Sequence, residues 1–553
     1  MKRIFLFISL ILVASVTVCA QSQDRWTILQ DGSIQWKPTR NLPHEDHVEM
    51  SGQMLSVVLR YGVDVQQRFH LNRSLVFPML RMKPNKTQNN LKQRFDVNIP
   101  AMVTVDDQTL LNEVVQDITF NGIMRVESDY GYIYRRKELK NAIHVTRILY
   151  PSINAPRYLE EYTFKNNSQN PITLRVPEWR VTYTTPEEAG VYGAYRIEAS
   201  LSKKGTFILK PGETLDFYAI YSGKKVSDDV TEKDNTAFSR ITIQSERAGR
   251  QALINQWWEN LVLDTPDPVL NRMFAFAKLR GAESIYRTKG GLMHGPGGEA
   301  YYAAVWANDQ AEYINPFFPF LGYDIGNESA LNAYRHFARY MNPEYNPIPS
   351  SIISEGVSFW HGAKDRGDGA MIAYGAARYA LARGDKEEAR ELWPLIEWCL
   401  EYCKRKLTPD GVVASNSDEL ENRFPAGDAN LCTSTLYYDA LRSAALLGRE
   451  IGVSGKQLAT YTAQAKALES AIENHFGYEI EGFHSYRYYE GNDILRSWIC
   501  MPLVMGIYTR AQGTIDALFS PRLWTNDGLL TQAGTETFWD RSTLYALRGT
   551  IAA

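Results

Sequence analysis

From Trp26 to about Glu246 apolar and polar residues alternate in short runs. Ile172, Leu174 and Val176 alternate with polar neighbours, as do Leu215, Phe217 and Ala219. A period of two puts one face of each run into a core and the other into water, the signature of half-buried strands. Lys210-Pro211-Gly212 lies between two such runs, and Asn166 to Pro171 reads NNSQNP between another pair. Proline and glycine supply the backbone angles of tight turns. Many short strands with polar turns predict a single antiparallel β-sandwich over 21–247.

After a linker placed at 248–267, the period lengthens. Asp267-Pro268 reads as a helix start, a capping acid followed by proline at the first helical position. Leu270, Met273, Phe274 and Ala277 follow at helical spacing. Asp385 with Glu388 forms a capping box, ahead of a stripe made by Ala389, Leu392, Ile396, Cys399, Leu400 and Cys403. Leu458, Tyr461, Ala465, Leu468 and Ile472 mark another helix, and further helices are expected near 300–320, 326–341, 367–383, 430–448 and 492–509. The segments joining them, Thr288–Glu299, Tyr340–Gly367 and Leu407–Asn430, exceed the roughly 2–8 residues of ordinary bundle connections. Long loops on a rigid scaffold tend to carry function.

The first residues change the picture of where the chain works. Lys2 and Arg3 precede an apolar run from Ile4 to Val18, and Val18-Cys19-Ala20 suits cleavage before Gln21. Residues 1–20 therefore read as a signal peptide, with a periplasmic or secreted mature chain. A lipid anchor on Cys19 is the minor alternative, because Val18 stands where a small residue is usual. No later stretch reaches the roughly 20 apolar residues of a transmembrane helix.

With 60 basic and 63 acidic residues among 553, the chain lacks the basic excess expected of a nucleic-acid binder. Aromatic residues make up 12 %, including 12 Trp and 32 Tyr, which suits sugar stacking and equally suits a large core. Cys399, Cys403, Cys432 and Cys500 are expected as buried free thiols, since neighbouring turns of one helix rarely form a bridge. The nine histidines are scattered, so neither a metal nor a cofactor is expected. Gly295-Pro296-Gly297-Gly298 lacks the Lys-Ser/Thr ending of a phosphate-binding loop.

Three segments carry a resemblance: VWANDQAEY at Val305–Tyr313, SNSDELENRFPAGDANLCTSTLYYDAL at Ser415–Leu441, and LWTNDGLLTQAGTETFWDRSTLYAL at Leu523–Leu547. Their order and spacing resemble the six-hairpin glycosidases, in the flavour of trehalases, processing α-glucosidases and glycogen-debranching α-glucosidases. The resemblance implies an (α/α)6 toroid over 268–553, behind the sandwich. It also implies terminal-sugar contacts at Trp306 and Asp309, and a general acid at Asp418, with Glu419 the close rival. In those relatives the base follows the segment represented here by FWDRSTLYAL. About ten helices are counted where a closed toroid has twelve, so the toroid is expected to be incomplete at its C-terminus.

Glycoside hydrolysis needs two carboxyl groups about the scissile bond, one protonating the leaving oxygen. Glu536 is the candidate for the second. Glu299, Trp360, His361, Arg366, Asp368 and Arg423 are further candidate substrate contacts on the long loops. The expected function is hydrolysis of terminal sugars by inversion. A phosphorylase is one alternative. A lyase using His361 or His484 with Tyr486, Tyr488 and Tyr489 is another, and a non-catalytic glycan-binding protein a third.

Overall fold

A computed structural model describes residues 25–230, 240–355, 358–360 and 363–553. The expected signal peptide, Cys19 and His361 lie outside the described residues, as does the side chain of Trp360.

The N-terminal part is an antiparallel β-sandwich. One sheet has nine strands, with Leu111–Phe120, Met124–Tyr134, Lys137–Pro151, Arg157–Asn166 and Thr214–Lys225 at its centre. A second sheet of four strands runs from His44–Ser51 to Asn90–Phe95, and a smaller one contains Ile172–Val176 and Gly205–Leu209. The period-two reading is visible in Ile172–Val176, where Ile172, Leu174 and Val176 are buried and the residues between them are not. Val57, Leu59 and Phe77 from one sheet meet Val145, Tyr162 and Phe217 from the other in a common core. Within it Glu160 is fully buried, accepting from the Arg73 guanidinium and from the hydroxyls of Tyr158 and Tyr162 at 2.9 and 2.7 Å. A buried charge persists only with its lone pairs filled in this way.

The stretch read as a linker is largely helical, and this corrects the reading. The helix Arg240–Glu259 runs into it, with Ile243, Arg250, Ile254 and Trp257 buried at helical spacing. Arg250 explains its fixed position. Its guanidinium donates to the carbonyls of Ser51 and Gly122 at 2.7 and 2.9 Å, and to Glu283 at 2.7 Å. The helix thus ties the sandwich to the helical part, and Tyr150, Leu159 and Tyr218 of the sandwich share its core.

The remaining helices alternate between an inner and an outer layer. Inner positions are taken by Asn315–Leu321 with the π-helical turn Ala307–Ile314 before it, then Asp368–Arg383, Leu431–Ile451, Met501–Met505 and Asp540–Ala552. Asp324–Ala338, Lys386–Arg405, Gly455–Phe476 and Ala511–Leu518 lie between them in sequence. Asp385 caps its helix as expected, accepting from the amides of Glu387 and Glu388 at 2.8 and 3.0 Å. Small residues let the inner layer close up: a Cβ on Gly375 would lie 1.6 Å from the Ala311 carbonyl oxygen. The last inner helix meets the first, where Tyr545 donates to Glu312 at 2.8 Å and its ring lies 5.5 Å from that of Tyr313. The four cysteines are free and buried. No helix among the described residues is long and apolar enough to cross a membrane.

Candidate active site

The long loops gather at the N-terminal ends of the inner helices. Three short antiparallel strands, Ala304–Trp306, Ser351–Ile353 and Ser358–Trp360, form a sheet there. Trp306 is buried in it with Ala304 and Ile353, edge-on to Tyr301 at 5.5 Å.

The acidic loop is held from both sides. Asn430 caps the helix Leu431–Ile451 through the Thr433 amide at 2.9 Å, and its own amide donates to Ser415 Oγ and the Ser417 carbonyl at 2.7 and 3.0 Å. The Asp365 carbonyl accepts from the amides of Asn416 and Ser417 at 2.9 and 3.0 Å. Anchored in this way, the loop sends Asp418, Glu419 and Glu421 to three different arginines.

Asp418 is wholly buried. It accepts from Tyr488 Oη at 2.8 Å and from the Leu420 amide at 2.9 Å, with Arg496 4.0 Å away. Burial is the largest influence on its carboxyl and pushes it up, to about 6, although Tyr488 and Arg496 pull the other way. Glu419, also buried, accepts through Oε2 from Tyr313 Oη and Arg541, both at 2.7 Å. Its Oε1 is enclosed without a protein donor. Glu421 accepts from Arg366 at 3.0 Å.

The π-helical turn supplies the opposite wall. Such turns widen a helix and re-aim successive side chains, and they recur at functional sites. Asp309 accepts from Arg541 at 3.0 Å, so one guanidinium joins it to Glu419. Glu312 is buried beside them, and burial, followed by the charge of Glu419, holds its carboxyl well above the usual range. Arg366 pairs with Asp368 at 2.8 Å, and Asp368 also accepts from Ser350 at 2.7 Å. Toward the exterior, Arg423 and Arg541 both lie over the Trp539 ring, at 5.4 and 5.0 Å.

Of the residues proposed from sequence, Asp309, Arg366, Asp368, Asp418 and Glu419 thus fall into linked polar clusters around the loop, with Arg423 at its rim. Two are placed otherwise. Glu299 binds Arg60 and Arg94 of the sandwich at 2.5 and 2.8 Å. Burial opposes its ionisation, but those guanidiniums outweigh burial and hold it at about 2. Its glycine loop therefore docks Glu299 on the sandwich rather than in the cleft. Glu536 is exposed, and among the described residues no hydrogen bond or ion pair joins it to the carboxylates. His484 is exposed too, bound to Glu479 at 2.5 Å, whereas Tyr488 touches Asp418. Arg541, Tyr313, Glu312, Arg496 and Tyr545 were not singled out from sequence. Four of these five lie within the quoted segments, and the role of each is informative only once its partner is known.

The architecture has solved counterparts. It matches a bacterial glucoamylase complexed with acarbose, with TM-score 0.51 and 9 % identity, over 93 % of this chain and 88 % of that one. It also matches a protein named as a kojibiose phosphorylase, from the human microbiome, with TM-score 0.50 and 9 % identity, over 89 % and 80 % of the two chains. The fold is that of the six-hairpin glycosidase-like toroids. No protein-family model matches the chain, and no curated protein matches it in sequence. At 9 % identity the likeness concerns the fold alone. The scaffold is one used by both a hydrolase and a phosphorylase, and the chemistry of this toroid has to be argued from its own residues.

Proposed function

We propose that the protein is a carbohydrate-active enzyme that cleaves glycosidic bonds at terminal sugars, with Asp418 as general acid. The observation that carries this is the contrast between two adjacent buried carboxyls. Burial pushes Asp418 up to about 6, so it keeps its proton to higher pH than an ordinary aspartate and is half-protonated near pH 6. Glu419 is paired with Arg541 and takes a second bond from Tyr313. A carboxyl that burial keeps protonated to higher pH suits the acid, and one bound to a guanidinium suits the anionic role.

In this reading Asp418 gives its proton to the leaving oxygen. Glu419 supplies negative charge to the oxocarbenium-like transition state, and its free Oε1 takes a sugar hydroxyl or the attacking water, with inversion. Glu419 replaces Glu536 in the second role because Glu536 is exposed and outside the cluster. A sugar enters by parting the Arg423–Trp539 contact. Asp309 would take part only after exchanging some of its hold on Arg541.

Phosphorolysis is the second reading. It is favoured by the exposed position of Glu536, since phosphate as nucleophile needs no carboxylate base. Export through residues 1–20 completes the proposal. The test is a panel of oligosaccharides and aryl-glycosides incubated with purified protein, with and without phosphate. Release of a free terminal sugar independent of phosphate supports hydrolysis, and release of a sugar phosphate supports phosphorolysis. No turnover on any glycan, with sugar binding retained, would favour a binding protein.

A further inference from the structure

The ring carries a second concavity. A cavity of about 840 Å³ lies between the C-terminal halves of the inner helices, away from the loops that hold Asp418. That volume is within the range of small-molecule sites.

Its polar lining is basic. Arg378, Arg442 and Arg548 converge there against Asp439 and Glu312. Asp439 is already committed, because it accepts from two nitrogens of Arg378, both at 2.8 Å, and from Ser443 at 3.1 Å. Arg442 donates to the Met505 carbonyl at 3.1 Å, and Arg548 to the Tyr374 hydroxyl at 3.4 Å. Among the described residues neither has a carboxylate within ion-pair distance. Glu312 reaches the cavity from its deep end, nearly buried, with Oε2 lacking any protein donor. Burial and the neighbouring charge of Glu419 both disfavour its ionisation, which lessens its opposition to the arginines.

Phe317, Leu381 and Leu446 add apolar surface to the same space, and Tyr374 and Ser443 add hydroxyls. A cleft lined by one sign of charge with low-dielectric walls concentrates counter-ions of the other sign. Guanidinium groups suit carboxylate, sulfate and phosphate oxygens.

We propose that this cavity binds a small anionic sugar, a sugar acid or sugar phosphate, through the Arg442 and Arg548 guanidiniums. The sugar ring would lie against Phe317 and Leu446, with hydroxyls directed to Tyr374, Ser443 and Glu312. This site shares Glu312 and Tyr313 with the wall beside Glu419 but is lined by neither Asp418 nor Glu419, and its anion binding does not depend on glycosidic chemistry there.

The test is isothermal titration of the full chain with glucose 6-phosphate and with glucuronate, using glucose and inorganic phosphate as controls. The comparison is with the double variant Arg442→Gln/Arg548→Gln. Both arginines are exposed, so the variant should fold, and an unchanged melting temperature verifies this. The expected result is saturable binding of one or both anionic sugars, weakened tenfold or more in the variant, with glucose failing to compete. Glucuronate against glucose 6-phosphate distinguishes a carboxylate from a phosphate ligand. Absence of saturable binding by either sugar, or equal affinity in the variant, overturns the proposal. Equal affinity for inorganic phosphate overturns the sugar assignment.

Discussion

Arg541 donates to Glu419 at 2.7 Å, joining residues 122 positions apart in sequence. The same guanidinium also reaches Asp309. It thereby connects the acidic loop, the first inner helix and the last, and it is the only cation bonded to Glu419 among the described residues.

Arg541→Ala should therefore destabilise the fold by about 3–5 kcal/mol, since removing one partner strands a buried charge. Arg541→Lys should recover only part of this, because a point-charge ammonium lacks the planar fork that serves two carboxylates. Chemical denaturation of the three proteins checks the order wild type, Lys, Ala.

Asp418 makes a prediction about stability as well as catalysis. Its carboxyl is raised in the folded chain, from an ordinary 3.8 to about 6. Its contribution is thus fully present below the unfolded value and is lost as pH rises through about 6. At pH 8 the wild type carries a buried charge that Asp418→Asn does not, a difference of order 2–3 kcal/mol. Melting temperatures should show Asn stabilising the fold at pH 8 and giving little advantage at pH 4.

Tyr488→Phe removes a donor that favours the ionised form of Asp418. The alkaline limb of the kcat/KM profile should move to higher pH in this variant. An unchanged limb would show that the limb belongs to some other group.

Glu299 separates docking from substrate contact. Glu299→Gln should leave KM unaltered and lower stability modestly near neutral pH, since its arginine partners are largely solvent-exposed. A depressed carboxyl contributes above its unfolded value of 4.5 and loses that contribution as pH falls toward about 2. The deficit of the variant should accordingly vanish in acid. A tenfold rise in KM would return Glu299 to the cleft.

Much of the scaffold was legible in the residues. Asp385 and Asp267 announced their helices because a cap is a local contact, satisfied within three residues. The alternation of Ile172, Leu174 and Val176 gave the buried face of their strand directly. The helix Arg240–Glu259 was missed because its anchor, Arg250, is a charged residue inside a buried stripe, and its partners Ser51, Gly122 and Glu283 lie far along the chain. The site divides the same way. Asp418 and Glu419 stood out as a loop cluster, but the partners that separate their roles, Tyr488 and Arg496 for one and Tyr313 and Arg541 for the other, lie far from them in sequence. Glu299 looked available for the cleft because Arg60 and Arg94 belong to another domain.

The most direct measurement is kcat/KM of Asp418→Asn on the substrate that the glycan panel identifies, alongside its sugar affinity by titration. Loss of the acid should lower turnover about 10²–10⁴-fold while leaving sugar affinity within a few-fold of wild type. Turnover equal to that of the wild type would contradict the assignment and remove Asp418 from the reaction.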